Sequence, residues 1–299
     1  MKQKPIVFSL FGYDALAKSI QNRGQFELGA IKAHEFPDEE TLIIIESDVR
    51  DRVVLLTAGL AQPNCKMLPL IFAAETARSL GASEIILIAP YLAYMRQDMV
   101  FEAGQGITST YFAQLISHYF DGLITVDPHL HRWKTLSAIY DVPTQNIHAT
   151  HSIANWIAEH INKPLLIGPD VESKQWIDDI AKKTCAPYLV LEKIRKGDSS
   201  VEITLPTIEQ YLDFTPVLID DIVSTGMTMI ETIKQLRVLQ MAQPICVGVH
   251  AIFAGDAYQT LLSYDVARVI TCNTIPHISN GIDISGEITN ALKIRFRPL

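Results

Sequence analysis

No stretch of this sequence approaches the roughly 18–20 consecutive apolar residues that a membrane-spanning helix requires, although 48% of its 299 residues are hydrophobic. Its apolar residues come instead in short runs, as in a water-exposed globular chain long enough for two cores. A disulfide or zinc framework is missing as well. The four cysteines, Cys65, Cys185, Cys246 and Cys272, are scattered and form no CxxC or Cys/His ligand spacing. Positive charge is in deficit, with 25 Lys and Arg against 33 Asp and Glu and a formal charge of -8. That excludes the broad basic surface on which non-specific nucleic-acid binding depends. Asp14 and Lys18 interrupt the N-terminal stretch too early for a secretory leader. A cytoplasmic protein binding neither membrane nor nucleic acid is expected. Small anions can still bind wherever local cations, helix N-termini or a metal ion receive them.

What the sequence does have is alternation. Val-, Ile- and Leu-rich runs recur as PIVFSLF, TLIIIES, VVLLTAG, EIILIAP and GLITVD, then PLLIGP, PYLVLE, PVLIDD, ICVGVHAIF and ARVITC. Such runs suit strands buried on both faces of a parallel sheet. Helical patterns such as LPLIFAAETARSLGA and TGMTMIETIKQLRVLQMA lie between several of them, which makes the fold class α/β. The segments from Val53 and from Pro216 both read as strand, polar loop, helix and strand, the pattern of a duplicated domain. The first carries Thr57 and Ala58 where the second carries Asp220 and Asp221, so the two copies have different tasks. We place the boundary in the polar connection around Asp141 to Asn146, giving domains 1–143 and 144–299, with the last helix free to pack back on the first.

The stretch VLIDDIVSTGMTM, residues 217–229, carries the chemistry. In open parallel sheets ligands bind beyond the carboxyl ends of strands, where the next helix offers free backbone N–H groups. Asp220 and Asp221 are expected at such an end, followed by a turn of Ser224, Thr225, Gly226, Met227 and Thr228 and a helix starting near Met227. Carboxylates that accept from vicinal hydroxyls, next to a cradle of N–H and O–H donors, suit a sugar phosphate. The plain alternative is a capped helix preceded by a surface acidic pair.

VLIDDIVSTGMT resembles the phosphoribosyl-diphosphate motif of type I phosphoribosyltransferases and ribose-phosphate diphosphokinases, and the other segments resemble the second family in order along the chain. YLAYMRQDM looks like its RQD segment, EFPDEET like its FPD loop, VDPHLH like its VD.H segment, GPDVES like its diphosphate loop and LEKIRKGD like its catalytic flap. The resemblance implies two duplicated type I phosphoribosyltransferase-like domains, each a mainly parallel sheet flanked by helices. It also implies diphosphoryl transfer from ATP to ribose 5-phosphate. By that likeness Lys193 and Arg195 are catalytic, and Phe36, Asp38, Glu40, Arg96, Gln97 and Asp98 bind ATP. Asp220, Asp221 and residues 224–228 bind ribose 5-phosphate, and His129 and Asp170 hold Mg2+. A homo-oligomer follows, because in the family the FPD loop reaches the ATP of a neighbouring subunit. A branch similar to archaeal members is indicated by several departures: Met227 stands where Gly is common, Ser224 where Asp is frequent, and Met99 and Phe101 where basic residues are frequent. Met227 is therefore expected in a backbone conformation that Gly adopts more readily. Two other assignments, a non-catalytic synthetase-associated subunit and a phosphoribosyltransferase, share part of this pattern.

Overall fold

The computed structural model describes residues 3–168, 173–196, 200–204 and 209–295, and the chain divides into two compact units. The first comprises Met1–His148 with Ser285–Leu299, the second Ala149–Ile284.

In the first unit, β1 (Ile6–Ser9), β2 (Glu27–Leu28), β5 (Val53–Thr57), β6 (Glu84–Ala89), β7 (Gly122–Val126) and β8 (Thr144–Ile147) form a parallel sheet in the order β2-β1-β5-β6-β7-β8. Its central strands are almost wholly buried, which is why they read as unbroken apolar runs. The sheet is accompanied by α1 (Asp14–Gly24), α2 (Met67–Ser79) and α3 (Thr108–Tyr119). The chain's last helix, α8 (Ser285–Arg295), also belongs here: it packs on α1, and Arg295 pairs with Glu84 at the start of β6. The break between units follows His148 rather than residue 143, because Thr144–Ile147 pairs with β7 and completes the sheet.

One expected strand has a different setting. TLIIIES supplies β4 (Thr41–Ile45), which pairs antiparallel with β3 (Ile31–Glu35) as a separate hairpin. Its residues are largely exposed or half-exposed, with Ile43 turned inward, so it is not a strand buried on both faces.

The second unit repeats the plan. Here β9 (Pro164–Gly168), β10 (Tyr188–Val190), β13 (Thr215–Val223), β14 (Ile245–Ala251), β15 (Arg268–Cys272) and β16 (Asn280–Ile282) form a parallel sheet in the order β10-β9-β13-β14-β15-β16. The helices are α4 (Thr150–His160), α5 (Lys174–Thr184), α6 (Met227–Val238) and α7 (Ala257–Leu262). A hairpin of β11 (Glu192–Lys196) and β12 (Ser200–Thr204) sits in the chain where β3 and β4 sit in the first unit. Two sheets with the same strand order and a hairpin inserted at the same point are what a duplication leaves. In both, the order reverses next to the first strand, and such a switch point opens a crevice at the carboxyl ends.

Candidate functional site

In the second unit that crevice lies between β9 and β13. The acidic pair is not at the tip of β13 as expected: the strand continues to Val223, with Asp220, Ile222 and Val223 aligned with Gly248, His250 and Ala251 of β14. Both aspartates are half-buried, and Asp221 Oδ1 accepts from the Ile222 N–H at 2.8 Å. Asp220 lines a small cleft with Ile167, Leu218, Ile219, Met229 and Thr232. Continuation of the strand depends on Gly248, where a Cβ would lie 2.5 Å from Val223 Cγ2.

Beyond Val223 the chain turns through half-buried Ser224, exposed Thr225 and buried Gly226 into α6. Gly226 takes the left-handed conformation at φ 70°, while Met227 is already helical and half-exposed. This corrects the expectation for Met227: the turn places its one left-handed residue on the glycine before it. The first intrahelical bond of α6 runs from the Ile230 N–H to Gly226 O at 2.9 Å, so the amides of Met227, Thr228 and Met229 precede it. Together with the positive end of the helix dipole they make an anion cradle a few residues from the two carboxylates. The loop after β14 braces the turn, with Phe253 N–H donating to Val223 O and Ala254 N–H to Ser224 O.

The corresponding crevice of the first unit, between β1 and β5, is closed. Tyr13 is buried there, and a Cβ on Gly59 would lie 1.6 Å from its hydroxyl. Burial pushes the phenol pKa up, which holds the group neutral.

The nucleotide-site candidates of the first unit gather on loops after β6 and β7. Arg96 and Gln97 are exposed. Asp98 is not: its side chain is 4% exposed, and Oδ1 accepts from Arg132 Nη1 at 2.9 Å. Asp98 is thus engaged with Arg132 through one of its two carboxylate oxygens. Arg132 was missed because nothing local marks it. The signal lay 34 residues away, in a carboxylate that needs a partner if buried.

After β7, Asp127 and His129 both take positive φ values, 36° and 52°, a conformation that costs energy for residues other than glycine and clusters at functional positions. His129 N–H donates to Asp127 O, and His148 Nδ1 lies 2.8 Å from Asp127 Oδ1. The His129 and His131 rings lie side by side, centroids 3.8 Å apart, which places His131 beside the candidate ligand His129. His129 is half-buried. Magnesium takes oxygen ligands and keeps water and substrate phosphate in its shell, so the His129 imidazole would be at most a minority donor beside phosphate oxygens. Asp170, the other expected ligand, lies outside the described residues.

Phe36, Asp38 and Glu40 stand on the exposed turn of the β3–β4 hairpin. Phe36 N–H donates to Glu40 O, and the Phe36 ring meets His34 edge-on. Lys193 and Arg195 lie on β11, opposite Ile203 and Val201 of β12; their side chains fall outside the described parts.

Comparison with known proteins follows this division of the chain. Residues 6–119 match the family described as the N-terminal domain of ribose phosphate pyrophosphokinase, and residues 135–285 match the phosphoribosyl transferase domain. The ribose-phosphate pyrophosphokinase of Methanopyrus kandleri is 30% identical over 269 residues, 89% of this chain and 91% of its own. That of Saccharolobus solfataricus is 32% identical over 243 residues, 80% of this chain and 82% of its own. The crystal structure of phosphoribosylpyrophosphate synthetase from Mycobacterium smegmatis has the same fold, with a TM-score of 0.83 at 21% identity over 98% of this chain and 99% of that one. No described helix is long and apolar enough to cross a membrane. The chain belongs to the ribose-phosphate pyrophosphokinase family of enzymes.

Proposed function

We propose that the protein transfers the β,γ-diphosphoryl group of ATP to the C1 hydroxyl of ribose 5-phosphate, giving 5-phosphoribosyl 1-diphosphate and AMP. The observation that supports this most is the half-buried Asp220–Asp221 pair running into a left-handed Gly226 and the uncapped start of α6. The carboxylates accept from the sugar hydroxyls, and the amides of residues 227–229, with Ser224 and Thr225, take the 5-phosphate. Arg96, Gln97 and Asp98 serve the nucleotide. Phe36, Asp38 and Glu40 reach the nucleotide of a neighbouring subunit in a homo-oligomer, and the enzyme works in the cytoplasm.

Phosphoryl transfer depends on in-line positioning and on neutralising charge on the phosphoryl oxygens. Lys193 and Arg195 supply fixed positive charge to the group in transit. His129 and Asp170 are the residues that the family likeness implies would hold magnesium, which would supply further charge neutralisation. The test is AMP formation from ATP that depends on ribose 5-phosphate. Lys193→Ala lowers kcat roughly 100- to 1000-fold with the melting temperature unchanged. A Lys193→Ala enzyme turning over at the wild-type rate overturns its assignment.

A further inference from the structure

The RQD segment is followed by Met99 and Phe101, so it brings no cation of its own beyond Arg96 before the chain turns towards α3. A polyphosphate carrying three to four negative charges needs more than one donor fork. Arg132 reaches this segment from the loop after β7. Its Nη1 holds the buried carboxylate of Asp98, its guanidinium carbon lies 5.7 Å from the centroid of the Phe101 ring, and its side chain is 51% exposed. A guanidinium has five N–H donors in a rigid fork, and one contact through Nη1 leaves the remainder of that fork for another acceptor.

The neighbouring residue adds a second tie between the same two loops. Trp133 Nε1–H donates to Ser109 Oγ at 3.3 Å, and the N–H of buried Ser109 donates to Gln97 O at 3.2 Å. Gln97 and Asp98 are therefore fastened to Trp133 and Arg132 by two adjacent links. These fix the direction of the Arg132 side chain before any ligand arrives, and a pre-set cation loses less entropy on binding than a mobile lysine.

From this geometry we propose that Arg132 binds the β- or γ-phosphate of the nucleotide, and that Asp98 acts through it as a positioning residue. The inference rests on the reading of the 96–98 segment as the nucleotide site. It gives Asp98 a different task from contact with the nucleoside, and it replaces the cations absent at 99 and 101 with one from the adjacent loop.

The experiment uses the full chain and measures binding of ATP and of AMP by calorimetry, with KM for ATP and for ribose 5-phosphate, in the wild type, Arg132→Ala, Arg132→Lys and Trp133→Phe. Arg132→Ala weakens ATP binding and raises KM for ATP roughly 10- to 100-fold, while AMP binding and KM for ribose 5-phosphate shift less than about twofold. Arg132→Lys, which keeps the charge and loses the fork, falls between. It also serves as the reporter if the alanine variant does not fold. Trp133→Phe cuts the second link without removing a cation, and its loss is smaller than that of Arg132→Ala and, like it, greater for ATP than for AMP. The proposal is overturned if Arg132→Ala and Arg132→Lys leave ATP binding unchanged, or if either weakens ATP and AMP alike. If the wild type binds ATP but forms no AMP, the functional reading has failed while the binding comparison still decides the role of Arg132.

Discussion

Replacing Gly248 with alanine tests whether the turn proposed to bind the sugar phosphate depends on how closely β13 and β14 approach. The added Cβ would lie 2.5 Å from Val223 Cγ2 and 3.4 Å from Thr271 Cγ2. Val223 cannot swing aside: it is β-branched and 2% exposed, and its carbonyl is held by the Phe253 N–H at 2.9 Å. Either β13 moves or Val223 leaves its rotamer, and overpacking of this kind costs about 1–3 kcal/mol. The reduced freedom of the unfolded chain returns about 0.4–1 kcal/mol, and between the midpoints of the two ranges the net loss is about 1.3 kcal/mol. Because the strain falls where β13 leads into Ser224, KM for ribose 5-phosphate rises while KM for ATP holds. Urea denaturation with Gly248→Ala, Val223→Ala and the double variant isolates the contact. Val223→Ala alone costs about 2 kcal/mol in lost burial, and the double variant is at least about 1 kcal/mol more stable than the summed single losses. Strictly additive losses, or a Gly248→Ala protein as stable as the wild type, refute the reasoning.

Arg52 tests the packing at the start of the first sheet. It is buried, donates to Lys4 O and Asp48 O, and pairs with Glu27 at 2.7 Å. The hydrogen bond from Arg52 holds the Glu27 carboxyl below its ordinary value of 4.5. A folded value below the unfolded one means that the contribution is complete at neutral pH and fades as pH falls through the folded value. Glu27→Gln therefore costs under about 1 kcal/mol at pH 7, because Glu27 is half-exposed, and denaturation curves show the gap closing in acid; a constant gap contradicts this.

Much of the architecture was legible because buried parallel strands are apolar on both faces, as in VVLLT of β5 and GLITV of β7. β8, with the sequence TQNI, carries no such run, and for that reason the domain boundary was drawn one strand too early. The β11–β12 hairpin, EKIRK against SVEIT, is likewise polar enough to hide its pairing. At the site, the acidic pair and the Thr-Gly turn were readable because they are local in sequence. The conformation of Met227 was misjudged by one residue, since the left-handed position belongs to Gly226. Arg132 went unread because its pairing with buried Asp98 joins two loops that only the fold brings together. The place of His131 was hidden for a related reason: its ring comes against that of His129 through the left-handed backbone at residue 129, which no spacing rule foretells.

The most direct measurement of the central claim is the fate of the γ-phosphorus of ATP. With ATP labelled at that position, magnesium and ribose 5-phosphate, the account predicts that the label appears in 5-phosphoribosyl 1-diphosphate, with one AMP formed for each labelled product. ADP accompanied by a labelled ribose bisphosphate, or label released only as inorganic phosphate, contradicts it.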